Sequence, residues 1–246
     1  MTKATDYHSN FFLSIIALFV QISAFAQTTI YTTFEHYCNG KPVAHNTFIY
    51  KNTQGTTYQI NQIQYFISNI SYRVNGKWIC DSTITYIDAE KTIPMVSTTI
   101  SKKKNKIDSI RFTVGLPAEQ NIPYRFTNPE WTQMYWPESM GGGYHYLKLN
   151  IKYINNHDTV GLFNCHLGRS MEMGAVIDND FTLTLPCPTE THNINVIRMN
   201  VEAWFVNPNT IDFNLYTKGI MGKQSIMHAI CENGKSAFAV MPKKFE

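Results

Sequence analysis

Charge is scarce in this 246-residue chain: 16% of residues are Asp, Glu, Lys or Arg, against roughly 25% in an average soluble domain. The 21 basic and 18 acidic residues leave a net charge of +3. That balance, with no basic stripe, excludes an electrostatic nucleic-acid binder. The one basic run, Lys102–Lys104 followed by Lys106, reads as a solvated loop. No C-x-x-C pair occurs among Cys38, Cys80, Cys165, Cys187 and Cys231. A zinc ribbon, a thioredoxin-type site and covalent c-type haem attachment are thereby excluded. The cysteine number is odd, so at least one thiol stays outside any intrachain pairing, and spacing does not fix which. There is no G-x-S-x-G, Walker loop, H-E-x-x-H or G-x-G-x-x-G. Gly141-Gly142-Gly143 is not followed by Lys-Ser/Thr and is no phosphate loop. Nothing here marks an enzyme, and the reading is non-enzymatic.

What is abundant is apolar and aromatic. Hydrophobic residues make up 43% and aromatic residues 13%, too many for a disordered chain. Ile and Thr are frequent, which favours strands. Phe11–Ser23 is an apolar run of signal-peptide length, too short for a comfortable membrane span of roughly 20 residues. Lys3 precedes it and Ala24-Phe25-Ala26 follows as a small-x-small cleavage site. Residues 1–26 are therefore expected to be a signal peptide and 27–246 one mature domain, exported to the periplasm or beyond. No later stretch is apolar for long enough to span a membrane.

Period-2 alternation recurs along the mature chain. Thr28–Cys38, Tyr58–Val74, Trp78–Ile87, Ile107–Gly115, Leu147–Tyr153, Val160–His166, Phe181–Leu185 and Ile197–Phe205 read as strands. In the last of these, Ile197, Met199, Val201, Ala203 and Phe205 share one face. Asn75-Gly76 is a strong hairpin signal. Gln224–Glu232 reads as one short helix, closed by Asn233-Gly234. The fold class expected is all-β, a single antiparallel sandwich of about eight or more strands.

One long loop, Asn128–Gly143, breaks the alternation and carries Trp131, Met134, Tyr135, Trp136 and Met140. Long loops between strands are often functional. Histidines supply the remaining chemistry. His36 shares a face with Phe34 and Ile30. His145 is in register with Leu147, Leu149 and Ile151 and is expected to point inward. His166 ends a strand, His228 lies in the expected helix, and His45, His157 and His192 sit among turn residues. Inward histidines at strand ends can converge on a metal, and imidazole suits copper; the Met171-x-Met173 pair adds soft thioethers suited to Cu(I).

Several ordered segments resemble the MbnP-like family of periplasmic copper-binding proteins, related to the methanobactin-associated and MopE/CorA-type proteins. They are Phe34-Glu35-His36 with Gly40-Lys41-Pro42-Val43, then Tyr65–Ile70, then Asp108–Gly115. Met134-Tyr135-Trp136 with Gly143–Leu149, His166-Leu167-Gly168 and Met227-His228 continue the series to about residue 240. Asn150 stands where the family tends to have Glu. The resemblance implies a β-sandwich and mononuclear copper, Cu(I) or Cu(II), held largely by histidines. His36, His166 and His228 match its histidine positions, with His145 as a neighbour and Trp131, Trp136 and Met134 as site-adjacent or modified residues. In some members a tryptophan beside the copper is oxidised to kynurenine. The partner implied is a di-haem enzyme of the cytochrome-c-peroxidase type, or another periplasmic copper-handling protein.

Three readings follow. The first is an exported protein that stores, carries or delivers copper. It requires His36, His166 and His228 to converge, with binding weakening as pH falls through about 6.5, the ordinary imidazole value. The second is a metal-free surface module meeting a glycan or protein through Trp131, Tyr135 and Trp136, which must then be exposed and coplanar. The third is a hydrolase, which needs two facing carboxylates in a cleft.

Overall fold

The computed structural model describes residues 28–91, 95–100, 106–188, 194–217 and 219–242. The expected signal peptide, Lys102–Lys104 and His192 lie outside the described residues. In chain order the strands are β1 (Thr28–Cys38), β2 (Lys41–Pro42), β3 (Tyr50–Lys51), β4 (Thr57–Val74), β5 (Lys77–Asp81), β6 (Thr85–Asp88), β7 (Met95–Ile100) and β8 (Ile107–Val114). A helical turn α1 (Pro129–Thr132) follows. Then come β9 (Leu147–Ile154), β10 (Val160–Leu167), β11 (Ser170–Glu172), β12 (Ala175–Ile177), β13 (Phe181–Pro186) and β14 (Ile194–Asn200), and last α2 (Gln224–Gly234) and β15 (Phe238–Met241).

These strands form two main sheets. One has the order β15-β14-β1-β2, with β7 also on β1; the other has β10-β9-β4-β8-β13, with β3, β5 and β6 along the long β4. The all-β sandwich expected from the alternation is thus present. Most pairings are antiparallel, while β1 and β14 run parallel. The turns follow their residues. Asn75 and Gly76 have φ of 49° and 78°, the double positive φ that a two-residue hairpin loop requires and Asn-Gly tolerates.

The sheets meet through T-shaped aromatic contacts. Phe34 of β1 packs on Tyr65 of β4 and Phe112 of β8, with ring centroids 6.4 Å and 5.8 Å apart. Phe238 of β15 packs on the same two rings at 6.3 Å and 5.5 Å. Such rings bury large apolar areas, and edge-to-face pairs add about 0.5–1.5 kcal/mol each beyond area alone. These contacts fix which face of the larger sheet is inward. Tyr65 pairs with Leu147, which pairs with Leu167, and all three are buried. The next row, Gln64, Lys148 and His166, therefore lies on the opposite, outer face.

One expected strand ends early. β14 stops at Asn200 and residues Val201–Phe205 form a 3-10 helix. Its buried residues are Val201, Trp204 and Phe205, so Trp204, placed with the polar residues by alternation, is in the core. Helix α2 spans Gln224–Gly234, two residues beyond the expected end, with Ile226, Met227, Ile230 and Cys231 buried. Its Asn233 donates to the carbonyls of Trp204 and Asn209 at 2.9 Å and 2.7 Å, which ties the helix to the 3-10 segment. Among the described residues no helix is long and apolar enough to cross a membrane.

Candidate metal centre beneath the aromatic loop

The aromatic loop folds back onto the outer face of the larger sheet. Asn128 caps α1 by accepting from the Glu130 amide at 2.9 Å, with Pro129 in the first turn. Trp131 then packs on Phe66 and Phe126, centroids 5.4 Å and 4.8 Å away. Tyr135 and Tyr144 form an antiparallel bridge, and the Trp136 amide donates to Gly143 O at 2.8 Å. Gly141, Gly142 and Gly143 all have positive φ. A Cβ on Gly143 would also lie 2.2 Å from Asn121 Oδ1, the atom that accepts from the Tyr144 amide. The glycine run thus serves a tight backbone return.

Met134 and Trp136 are completely buried by this return. The exposed, coplanar trio of Trp131, Tyr135 and Trp136 that the surface-module reading requires does not form, because Trp136 is turned into the protein and Trp131 is half-buried on Phe66. The exposed ring of this loop region is Tyr124, stacked on Tyr135 at 5.0 Å.

Beneath the loop two imidazoles meet. The rings of His145 and His166 are 5.0 Å apart and nearly perpendicular, at 79°. Trp136 stands edge-on to His145 at 4.7 Å. Met134 O accepts from both the amide of His145, at 2.6 Å, and its Nδ1, at 3.0 Å. A carbonyl only accepts, so Nδ1 carries the proton and Nε2 presents a lone pair. On His166, Nε2 lies 2.7 Å from Asn150 Oδ1, and Asn150 Nδ2 donates to Gln62 Oε1 at 2.8 Å. That orientation makes Nε2 the donor and leaves the lone pair on Nδ1. His145 Nε2 and His166 Nδ1 are both buried and have no hydrogen-bond partner. Two lone pairs cannot bond each other, and an orphaned buried polar atom costs about 1–3 kcal/mol.

Electrostatics keep both rings neutral. Burial, then the neighbouring His166 and Lys148, push the His145 pKa down to about 2. Burial and then Lys148 push that of His166 down to about 4. Trp136 is itself held by its Nε1–H donating to Met140 O at 3.1 Å. Gly168 forms the floor under its ring: a Cβ there would lie 2.5 Å from the indole carbons. Gly168 O accepts from Asn179 Nδ2 at 2.8 Å, and Asn179 Oδ1 accepts from Gln224 Nε2 of α2 at 3.0 Å.

The other expected ligands are elsewhere. His145 precedes β9, so the parity of Leu147 and Leu149 does not extend to it; its ring meets His166 on the outer face rather than pointing into the sandwich. His36 sits on the inner side, its Nε2 3.0 Å from Tyr65 Oη. It lines a cavity of about 260 Å³ with His45 and Asp88, and burial, then His45, push its pKa down to about 4. His228 is exposed on α2, whose inner face is taken by its apolar residues. His36, His166 and His228 therefore do not converge, and among the described residues no group of three or more His, Cys, Asp and Glu gathers to hold a metal. Lys148, Asn150 and Gly168 were not expected as site residues. Lys148 and Asn150 alternate with Leu147 and Leu149, which assigns them to the outer face once the strand is recognised.

A sandwich with an imidazole pair closed under an aromatic loop is the class of protein that this geometry defines. The sequence matches the family model for MbnP over residues 27–227, and the chain belongs to that family. The solved structure of MbnP from Methylosinus trichosporium is similar, with a TM-score of 0.56 at 10% sequence identity; the match covers 73% of this chain and 78% of that one. At that identity the likeness is one of fold. No curated protein matches the sequence significantly.

Two outcomes follow from this geometry. Gly168→Ala forces a methyl into the Trp136 ring, so it should destabilise the protein by the roughly 1–3 kcal/mol typical of overpacking, read from urea unfolding; an unchanged midpoint would show that the ring is free to shift. The second concerns acid. His36, His145 and His166 have pKa values below the ordinary 6.5 when folded, so the unfolded chain binds more protons below that pH. Stability should level off only above about pH 7.5, where unfolded imidazole is neutral, and should fall as pH drops through about 6.5 toward 4. Urea midpoints of metal-free protein between pH 8 and 4.5 test this, and His166→Gln should flatten the acid slope.

Proposed function

We propose that the chain is an exported copper-binding protein that stores, carries or delivers copper, with His145 and His166 as the ligands. One observation carries the reading: two buried lone pairs, on His145 Nε2 and His166 Nδ1, stand without partners in rings 5.0 Å apart. The remaining ring nitrogens donate to Met134 O and Asn150 Oδ1. Metal-ligating histidines use their second nitrogen in this way, which fixes tautomer and orientation. Imidazole is a suitable copper donor, and both rings are already deprotonated at neutral pH. Membership of the MbnP family supports the reading, as does the leader-like N-terminus for export.

Copper bound here supplies a redox-active Lewis-acidic centre; the chain's own groups position it and exclude water. For the tryptophan oxidation that the resemblance implies, the proposal takes Trp136, whose ring lies 4.7 Å from that of His145, in preference to Trp131, which packs on Phe66 and Phe126. A di-haem oxidising partner remains part of this proposal. Because desolvation holds the His166 pKa near 4, loss of binding on acidification belongs nearer pH 4 than the 6.5 expected of free imidazole.

Competition with a chromogenic Cu(I) chelator should give one copper per chain. His145→Ala and His166→Ala should each weaken binding at least as much as loss of an outer hydrogen-bond partner does, roughly 10- to 100-fold. His228→Ala should leave it unchanged. Full affinity in both His145→Ala and His166→Ala would refute the assignment.

A further inference from the structure

Lys148 is the charged group closest to this centre in the strand pairing. It lies directly opposite His166 in the β9–β10 register and opposite Gln64 in the β4–β9 register, on the outer face that the loop covers. Its ammonium donates to Gln133 O, so the loop carbonyl holds the charge over the sheet. Among the described residues no carboxylate pairs with it; the ion pairs involve Lys91, Lys106, Arg169, Arg198 and Lys235. The nearest acidic member of the same cross-strand row, Asp88, is separated from it by Gln64, whose Nε2 donates to Asp88 Oδ2 at 3.0 Å. Asp88 also lies 3.8 Å from Lys91.

The imidazole pair thus has a fixed cation beside it and no anionic donor in its cluster. We propose that Lys148 acts as a charge filter, admitting a monovalent soft cation, Cu(I), to the His145–His166 pair and disfavouring the dications Cu(II) and Zn(II). This rests on the copper reading above. The physical reason is that Coulomb repulsion scales with the charge of the incoming ion, so a dication meets twice the opposition from Lys148 that Cu(I) meets. Carboxylate or thiolate ligands offset such opposition in sites that have them, and among the described residues none is gathered here. Lys148 is a specificity-determining residue in this account and touches no ion itself.

The test uses the metal-free full domain and measures Cu(I) affinity anaerobically and Zn(II) affinity by chelator competition. Four proteins are compared: wild type, Lys148→Gln, Lys148→Met and Lys148→Arg. Gln removes the charge and keeps a donor for Gln133 O; Met supplies a second neutral side chain should Gln fold poorly. Removing the charge should raise Zn(II) affinity at least tenfold more than it raises Cu(I) affinity, while Arg should keep the wild-type ratio. An unchanged ratio of the two affinities in the neutral variants overturns the filter. His145→Ala is the separate control. If it leaves Cu(I) affinity intact, the imidazole pair is not the site and the filter falls with it. If it abolishes Cu(I) binding while Lys148→Gln leaves the ratio unchanged, only the filter falls.

Discussion

An imidazole that gives its one proton to a carbonyl oxygen must present a lone pair on its other nitrogen, and here two such rings lie 5.0 Å apart, nearly perpendicular, with those nitrogens buried. Met134 O dictates this for His145 and Asn150 Oδ1 for His166. The surrounding structure can be understood as what keeps the two rings in that state. Desolvation removes the option of protonation, which would let one ring donate to the other. Lys148 acts in the same direction. A ring pair so arranged leaves two buried acceptors without a donor, and this is the arrangement on which the proposed copper reading rests.

The sandwich contributes by separating two faces of one sheet. Phe34, Tyr65, Phe112 and Phe238 lock the inner face, and this commits Lys148, Asn150 and His166 to the outer one. A sheet face of that kind is ordinarily solvated in antiparallel folds; the 128–146 segment instead closes over it. The lid is not held by its own contacts alone. A relay runs from Gln224 of α2 through Asn179 to Gly168 and so to the Trp136 ring, which connects the last helix to the indole beside His145. His228 of the same helix points to solvent, so the helix acts on the site through Gln224 and not through the histidine that its sequence context suggested.

Legibility in the sequence followed the range of the interaction. Thr28–Cys38 and the Asn75-Gly76 turn are local features, and both stand where alternation and turn chemistry put them. The end of β14 shows the limit of period-2 reasoning. Val201 and Phe205 satisfy the alternation of a strand, yet they are also the ends of a 3-10 segment, and a tryptophan on the nominally polar face was the sign that the pattern had changed. The site was half-legible. His145, His166 and Trp136 were all singled out, but the grouping with His36 and His228 was not realised. Which histidines meet depends on strand register and on which face is covered, and both are set by contacts far apart in sequence. Asn150 and Lys148 acquire meaning only once β9 is paired with β10. MbnP membership concerns most of the chain and agrees with the fold; the pairing of His145 with His166 comes from geometry alone.

The most direct test of the imidazole pair is a long-range proton–nitrogen correlation spectrum of the histidine side chains in 15N-labelled, metal-free protein at neutral pH, repeated with one equivalent of Cu(I). The account predicts that His145 is protonated on Nδ1 and His166 on Nε2. It further predicts that copper shifts His145 Nε2 and His166 Nδ1 while the rings of His36 and His228 keep their positions. A His145 protonated on Nε2, or a copper-induced shift confined to His36 or His228, would contradict it.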